Sequence, residues 1–125
     1  MSKTLEKQQK DKRSACPIAC ILDILGDKWT LLVIRDLFLG KRTYNEFLQS
    51  PEGIPTNILA ERLKRLHRAK VIEKKEYQPR PARYHYQLTA MGKDLWPVLQ
   101  EMMQWGCRHI EGTLDLAAIE KMIEK

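Results

Sequence analysis

Near residue 70 the spacing of apolar side chains changes, and this change constrains the fold more than any other feature of the sequence. Up to that point apolar residues recur at helical spacing, in four segments separated by glycine, proline and polar residues. Beyond it, "VIEKKEY" and "RYHYQL" alternate, with Tyr84, Tyr86 and Leu88 on one face of the second run. Because its two prolines exclude a central strand, "QPRPA" between the runs predicts a hairpin tip. One more helix follows the hairpin.

End signals divide the helical part into four segments. Pro17 stands at the first helical position of "CPIACILDIL", which a glycine closes. We expect Asp27 to cap the second helix, "KWTLLVIRDLFLG", whose apolar residues on almost every side place it at the centre of a core. Thr43 and Glu46 predict a capping box at the start of a short third helix. After the turn "PEGI", the fourth helix begins with "IPTNILAERLKRL" and extends to about residue 70.

Three helices followed by a β-hairpin are the winged variant of the helix-turn-helix. The sequence therefore predicts a mainly helical α+β fold, a winged helix-turn-helix with a two-stranded wing and a long C-terminal dimerisation helix. Its predicted parts are a flexible charged arm over residues 1–14, the winged domain with its dimerisation helix over residues 15–112, and a short terminal helix over residues 113–125.

The long helix after the hairpin has more apolar residues than one core-facing stripe needs. Thr89 is expected to cap it, and it runs to about residue 111, with Pro97 bending it or removing one hydrogen bond. The surplus of apolar residues indicates a partner, namely the same helix in a second subunit. The predicted dimer interface comprises Ile18, Leu95, Leu99, Met102, Met103 and Trp105.

The excess of positive charge is confined to one segment. The formal net charge is +6, and residues 54–88 hold nine Lys or Arg against three Asp or Glu. The remaining residues hold thirteen of each and cancel. A local basic surface of this kind indicates a polyanionic partner.

The fourth helix by itself is compatible with a surface helix, a zipper fragment or a helix that lies in a groove of DNA. Leu59, Leu63 and Leu66 form one apolar stripe, which places polar residues on the opposite face. A recognition helix enters the major groove with its first turn, where Asn suits adenine and Lys or Arg suits guanine or phosphate. The short capped helix before it and the basic hairpin after it favour DNA over a merely solvated face. The predicted DNA-binding residues of this helix are Thr56, Asn57, Glu61, Lys64, Arg65 and Arg68.

The hairpin carries a second set of candidate DNA contacts. Arg80 lies between two prolines, which lower the entropy lost when the tip becomes ordered. An arginine at this position enters the minor groove or holds phosphate, and Lys74, Lys75 and Arg83 would add phosphate contacts. The alternative is a loop that its charges merely keep soluble.

Cys16 is the candidate reactive thiol. It sits at a helix N-terminus, and both this position and the nearby Lys12 and Arg13 favour a lowered thiol pKa. Cys20 lies one turn further along the same face. Two interpretations stay open: a switch that responds to oxidants or electrophiles, or a small buried hydrophobic residue. Cys107 is interpreted as a packing residue of the last helix.

Other classes of function lack support in the sequence. No apolar run approaches the roughly 20 residues of a membrane span, and the N-terminus lacks the apolar region of a secretory signal, so we expect a cytoplasmic protein. The three cysteines do not make a disulfide scaffold, and the histidines show no metal-ligand spacing. Phosphate-binding loops and nucleophile motifs are absent from the sequence. We therefore expect no enzyme, cofactor or metal, and the sequence identifies no small-molecule effector.

Four motifs occur together along most of the chain. They are a Cys-Pro pair at Cys16, a Gly-x-Lys-Trp-Thr segment from Gly26, the leucine helix over residues 59–66 and a Tyr-x-Leu-Thr strand end from Tyr86. Over about residues 16–106 this set closely resembles the HxlR-type winged helix-turn-helix regulators of bacteria. The resemblance implies a dimeric, MarR-like DNA-binding transcription factor, with residues 56–68 as its recognition helix and the hairpin as its wing.

The resemblance also implies roles for the two ends of the chain. In that family the N-terminal segment and the long C-terminal helix form the dimer. The cysteine before the proline, here Cys16, is a redox or electrophile sensor in several members. Two positions depart from the family pattern: Pro55 stands where many members carry a polar helix cap, and Cys20 is not part of the pattern.

Two hypotheses from different classes follow. The first is a homodimeric sequence-specific transcriptional regulator that responds to oxidants or electrophiles through a cysteine. The second is a winged-helix protein-interaction module whose basic face docks an acidic protein partner. Thr56 and Asn57 favour DNA, because they offer neutral base-reading groups among the charges.

Overall fold

The structure is a computed structural model, and it describes residues 13–123. Its elements are α1 (Pro17–Leu25), α2 (Thr30–Phe38), α3 (Tyr44–Leu48), α4 (Thr56–Arg68), β1 (Ile72–Pro79), β2 (Ala82–Leu88), α5 (Ala90–Lys93), α6 (Trp96–His109) and α7 (Leu116–Ile123). This order confirms the predicted winged helix-turn-helix, in which α3 and α4 form the helix-turn-helix and the hairpin is the wing. Most of the predicted N-terminal arm, residues 1–12, lies outside the described residues.

α2 lies at the centre of the core, as its apolar sequence predicts. Val33, Ile34 and Leu37 are at most 2% exposed, and α2 packs against α1, α4 and β2. The predicted leucine stripe of α4 is confirmed, because all three of its leucines are buried in the same core. Each buried leucine stabilises the fold by about 3 kcal/mol relative to alanine, so α4 is firmly attached to the scaffold.

The start of α2 differs from the prediction. The helix begins at Thr30, with Trp29 at the N-cap position and no side-chain cap, so the predicted cap at Asp27 is wrong. The Asp27 carboxylate instead accepts hydrogen bonds from the Thr30 hydroxyl and from Arg62 of α4. Thr30 is the first residue of α2 and Arg62 belongs to a distant helix, so a local and a distant contact share the side chain that the sequence assigned to a cap.

The short helix α3 is fixed by its N-terminal hydrogen bonds and by a buried ring. The Thr43 hydroxyl accepts a hydrogen bond from the Glu46 N–H at 3.2 Å, and the Glu46 carboxylate accepts one from the Thr43 N–H at 2.9 Å. The predicted capping box is therefore confirmed. Phe47 is fully buried. Because so short a helix is not stable alone, these contacts define how the chain enters the turn before α4.

The wing is a two-stranded antiparallel hairpin. Ile72 pairs with Leu88 at its base, and a bulge lies between Glu76 and Gln78. Pairing continues to the last residue of β1, Pro79, so the turn is shorter than the predicted tip over residues 78–82. A sheet of two strands has only edge strands, which is why a proline is tolerated there.

The C-terminal helix is divided in two, so the continuous helix predicted from residue 89 to about residue 111 is wrong. Pro97 supplies the physical reason. In the first turn of α6 its missing N–H costs nothing, whereas inside a continuous helix it would leave a carbonyl without a donor. The Asp94 N–H still bonds to the Ala90 carbonyl four residues back, at 3.2 Å, but the Leu95 N–H bonds to the Gly92 carbonyl only three residues back, at 3.1 Å, and this tighter turn marks the break.

Thr89 joins the base of the wing to α5. Its hydroxyl lies 2.7 Å from the Lys70 carbonyl oxygen and accepts a hydrogen bond from the Gly92 N–H at 3.1 Å, which caps α5. A Cβ atom on Gly92 would lie 2.2 Å from the Val71 carbonyl oxygen, so only glycine fits here. The end of α4, the wing base and α5 are therefore held together.

Candidate nucleic-acid interface

The outer flank of α4, which we define as Thr56, Asn57, Lys64 and Arg68, faces solvent. All four residues are exposed, and across residues 13–123 their side chains form no hydrogen bond or ion pair. Pro55 precedes the helix and supplies no side-chain cap. The first-turn N–H groups of α4 are therefore also open to water or to an anionic ligand.

The inner flank of α4, which we define as Glu61, Arg62 and Arg65, carries intramolecular ion pairs. Within the described residues the Glu61 side chain, which is 49% exposed, pairs only with the two arginines of its own helix. Arg62 forms ion pairs with Asp27 and with Glu61, and 14% of its side chain is exposed. The Arg65 guanidinium lies 3.4 Å from the Glu61 carboxylate and 3.4 Å from the Ile24 carbonyl oxygen. Of the predicted DNA-binding residues on this helix, Glu61 and Arg65 are thus held by intramolecular contacts.

Sequence reasoning missed Arg62. It follows Leu59 by three positions, so it lies beside the leucine stripe, where a charge without a partner is costly. The position of Arg62 beside the leucine stripe therefore indicates, from the sequence alone, that it belongs to a partly buried ion pair. Burial of Asp27 favours its neutral form, but the hydrogen bonds from Thr30 and Arg62 outweigh burial and lower the pKa of that carboxyl. The pair fixes which flank of α4 faces outward.

A second group of charges holds the turn between α3 and α4. Two guanidinium nitrogens of Arg35 donate to the Glu52 carboxylate at 2.7 and 2.8 Å, and these bonds lower the pKa of Glu52. The buried Asp36 carboxylate accepts hydrogen bonds from Arg35 at 2.9 Å and from the Ser50 hydroxyl. The turn is therefore anchored to α2, which sets the position where α4 begins.

The wing presents most of its predicted cations without partners. Lys75, Arg80 and Arg83 are exposed, and their side chains form no ion pair in the part of the chain that the structure describes. The Lys74 ammonium lies 4.6 Å from the centroid of the Tyr84 ring, a cation–π contact that leaves its charge in place. The wing thus adds a second basic element to the outer flank of α4.

Cys16 occupies the N-cap position of α1 and is exposed. Its side chain makes no cap hydrogen bond, but the nearby backbone N–H groups, of Ala19 first and then of Ile18, lower the pKa of its thiol. The Cys20 thiol, one turn along, donates to the Ser14 carbonyl oxygen at 3.3 Å. The helix N-terminus therefore favours the thiolate form of Cys16, as the sequence predicts.

The other residues named with the thiols behave differently. Lys12 lies outside the described residues. Arg13 forms an ion pair with Asp23 at 2.7 Å. The Asp23 carboxylate therefore partly offsets the positive charge that was predicted to lower the pKa of the Cys16 thiol. Cys107 is half-buried and its thiol donates to the Leu114 carbonyl oxygen at 3.1 Å, in agreement with a packing role.

The predicted dimer residues fall into two groups. Leu99 is 8% exposed and belongs to the core of its own chain, so we reassign it from the interface to that core. Leu95 and Met103 are half-buried and pack against the same core. The exposed members, at 69, 52 and 60%, are Ile18, Met102 and Trp105.

Further exposed apolar residues extend this second group. We define the α1 stripe as Ile18, Ile21 and Leu22, and the α6 stripe as Val98, Met102 and Trp105; every member is at least 43% exposed. Their helical spacing places each set on one side of its helix. Exposed apolar surface that follows a helix face marks an interaction site.

No helix within residues 13–123 has the length and apolar character needed to cross a membrane. The same residues contain no cluster of three or more His, Cys, Asp or Glu side chains placed to hold a metal ion.

A helix-turn-helix with an exposed polar recognition helix, followed by a basic wing, defines the class of winged helix-turn-helix DNA-binding proteins. Within this class the family follows from sequence comparison. Residues 24–113 match the HxlR-like helix-turn-helix family, and the chain therefore belongs to that family. It is a transcriptional regulator of the helix-turn-helix type, which confirms the resemblance predicted from its motifs.

Several relatives cover most of the chain, and two of them, both named HTH-type transcriptional regulators, serve as examples. The chain is 38% identical to sll1512 of Synechocystis sp. over 96 residues, which cover 77% of this chain and 71% of that protein. It is 33% identical to YdeP of Bacillus subtilis over 115 residues, which cover 92% of this chain and 90% of that protein.

Solved structures show the same fold. A protein of Porphyromonas gingivalis W83 assigned to the MarR family matches with a TM-score of 0.68 and 31% identity, over 78% of this chain and 95% of that one. The redox regulator HypR in its reduced form matches with a TM-score of 0.70 and 27% identity, over 77% of this chain and 95% of that one. The MarR-like winged fold predicted from the sequence is therefore confirmed.

Proposed function

We propose that this protein is a homodimeric, sequence-specific DNA-binding regulator that acts in the cytoplasm. The observation that carries the proposal is the contrast between the two flanks of α4. The outer flank offers polar and basic side chains without partners among the described residues, while on the inner flank Arg62 pairs with Asp27 and Arg65 pairs with Glu61. A helix presented in this way enters the major groove without breaking a bond within the protein.

The residues of the outer flank have distinct roles in this proposal. Thr56 and Asn57, in the first turn, read base edges, and the Asn57 amide suits adenine. Lys64 contacts guanine or phosphate, and Arg68 contacts phosphate near the end of the helix. Of the two residues that the sequence placed among the DNA contacts, Arg65 positions the helix through its bond to the Ile24 carbonyl oxygen, and Glu61 pairs with Arg62 and Arg65 of the same helix.

The wing supplies contacts that depend less on sequence. Arg80 at the tip enters the minor groove or holds phosphate. Lys74, Lys75 and Arg83 along the strands pair with phosphates. These contacts strengthen binding to any duplex, so specificity remains with the outer flank of α4.

Dimerisation covers the α1 and α6 stripes. Burying these six apolar side chains against a second subunit removes them from water, the main driving force for association. Two-fold symmetry then sets the two recognition helices about 34 Å apart, one turn of DNA, on a roughly palindromic site.

The dimer is tested by sedimentation of full-length variants. Met102→Glu places a charge in the α6 stripe and is expected to produce monomers at micromolar concentration. Leu114→Glu is the matched control, because Leu114 is 65% exposed but lies outside both stripes. A dimeric Met102→Glu variant would contradict this interface.

Cys16 is the proposed sensor of oxidants or electrophiles. Its exposed thiol has a lowered pKa, and the thiolate is the nucleophilic form. With a quinone, the Cys16 thiolate adds to a ring carbon: a carbon–sulfur bond forms, the π bond of that ring C=C is lost, its electron pair moves to a quinone oxygen, and proton uptake there leaves a thioether-linked hydroquinone. HypR, to which the chain is similar, is named a redox regulator, which supports the same kind of role here.

The sensor is tested by the response of DNA binding to diamide or to a quinone. Cys16→Ser is expected to bind DNA as the wild type does and to lose the response, while Cys107→Ser keeps it. A wild-type complex that is indifferent to both reagents would remove the sensor from the proposal.

DNA binding is tested on the intergenic DNA next to the gene, by fluorescence anisotropy over a range of salt concentrations. Each phosphate that a cation neutralises contributes a slope of about −0.9 to the plot of log K against log salt. With several contacts per subunit, we expect a slope steeper than about −4. A nearly flat plot would contradict the proposal and would favour a protein-interaction module with an acidic partner.

A further inference from the structure

All four tyrosines of the chain line one groove. The groove is open, has a volume of about 450 Å³, and separates the N-terminal turn of α3 from the wing. The chain contains four tyrosines, and Tyr44, Tyr77, Tyr84 and Tyr86 all line this groove, together with Arg83. None of the described residues that line it is an aspartate or a glutamate.

The position of the groove connects the two DNA-binding elements. On one side the Tyr44 hydroxyl donates a hydrogen bond to the Thr56 carbonyl oxygen at 2.6 Å, at the first residue of α4. On the other side Tyr84 and Arg83 belong to β2 of the wing. The groove therefore lies between the start of the recognition helix and the wing.

The geometry of a duplex determines what must pass through this region. A sugar–phosphate strand separates each major groove from the adjacent minor groove. When α4 lies in the major groove and the wing tip in the adjacent minor groove, that strand crosses the surface between them. The tyrosine groove is the concave part of that surface.

We propose that the tyrosine groove seats one sugar–phosphate strand of the DNA duplex, with the hydroxyls of Tyr77 and Tyr84 as neutral donors to phosphate oxygens and Arg83 as the charged partner. This inference rests on the proposed DNA binding and deepens it. The Tyr77 ring stacks on His85, and the Lys74 ammonium lies over the Tyr84 ring, so the strand meets the hydroxyl groups of these tyrosines and not their ring faces.

The tyrosine hydroxyl groups of the groove have two different roles: one positions the recognition helix, and the others are available to bind phosphate. The Tyr44 hydroxyl is already engaged with Thr56, so Tyr44 is a positioning residue. The hydroxyls of Tyr77 and Tyr84 bond to no residue within 13–123, and Tyr77 is 48% exposed. They are therefore available to an external acceptor. Burial first, and then the neighbouring Tyr84 and Tyr44, raise the pKa of Tyr86.

A neutral donor and a cation differ in their dependence on salt, and this difference makes the groove testable. A hydrogen bond from a phenol to a phosphate strengthens binding but releases no counterion. An ion pair between Arg83 and a phosphate strengthens binding and also releases a counterion. Removing Arg83 therefore reduces the slope of log K against log salt by about 0.9 for each site.

The experiment combines protein variants with DNA in which single phosphates are replaced by neutral methylphosphonates. Tyr84→Phe and Tyr77→Phe remove one hydroxyl each and keep the ring, so thermal unfolding should not change. We expect each to bind the intergenic duplex about tenfold more weakly, with the wild-type salt slope, while Arg83→Ala lowers the slope. One methylphosphonate position per half-site should weaken the wild type and have a much smaller effect on Tyr84→Phe.

Two results would overturn the inference in distinguishable ways. If the wild type binds with a steep salt slope, both phenylalanine variants bind within twofold of it, and no methylphosphonate position separates them, the groove is not the backbone seat and the proposed function stands. If the wild type does not bind duplex DNA at all, the groove and the proposed function both fail.

Discussion

The two flanks of α4 carry similar numbers of basic residues but have opposite surroundings. On the inner flank Arg62 and Arg65 lie against Asp27 and Glu61, and the Arg62 side chain is only 14% exposed. On the outer flank Lys64 and Arg68 have no ion pair within the described residues. A count of charges treats these residues alike. The difference teaches that the partners of a basic residue, more than its charge, indicate whether it is available to DNA.

The largest expected effect concerns the inner flank. Arg62→Ala leaves Asp27 partly buried without its partner and should lower the free energy of unfolding by about 2 kcal/mol, less than for a fully buried pair because both groups retain some solvent. Lys64→Ala is the matched control on the outer flank and should change stability by less than about 0.5 kcal/mol. Urea denaturation measures both. Equal losses would remove the distinction between the flanks.

The next effect concerns specificity on the outer flank. Asn57→Ala should weaken binding to the cognate site by about 2 kcal/mol, since it removes a base contact, and should leave binding to unrelated duplex nearly unchanged. Arg80→Ala on the wing should weaken both kinds of binding similarly, because its contact does not depend on sequence. Competition with unrelated DNA separates the two cases. A uniform loss in Asn57→Ala would show that Asn57 contacts only the backbone.

A smaller effect is expected with pH. The Asp27 pKa is lowered from its ordinary value of 3.8, so the stability that this carboxylate contributes is present above that value and is lost as the pH falls through the folded-state pKa. The difference in unfolding free energy between the wild type and Asp27→Asn should therefore be constant near neutral pH and shrink below about pH 3.8. A difference that stays constant down to pH 2 would mean that the carboxylate charge does not stabilise the fold.

The parts of the fold that depend on neighbouring residues were predictable from the sequence. Helical spacing predicted the leucine stripe of α4, and the Thr43–Glu46 capping box and the alternating hairpin were also predicted. These features arise within a few residues of chain, so a single sequence contains the information.

Features that depend on distant contacts were not predictable in the same way. Asp27 and Arg62 are separated by 35 positions, and no local pattern indicates that they meet. From the sequence, Leu99 and Trp105 were both predicted to lie in the dimer interface. In the structure Leu99 is in the core of its own chain, whereas Trp105 is 60% exposed. Only the packing of α6 on the rest of the chain decides which side is covered.

The most direct test of the contrast between the flanks is the salt dependence of DNA binding in two matched alanine variants. Lys64→Ala should reduce the slope of log K against log salt by about 0.9 per subunit, because it removes a cation that contacts DNA. Arg65→Ala removes the same formal charge from the inner flank and should leave the slope at the wild-type value. A larger reduction in Arg65→Ala than in Lys64→Ala would contradict the account, because the intramolecularly paired flank would then be the one that meets DNA.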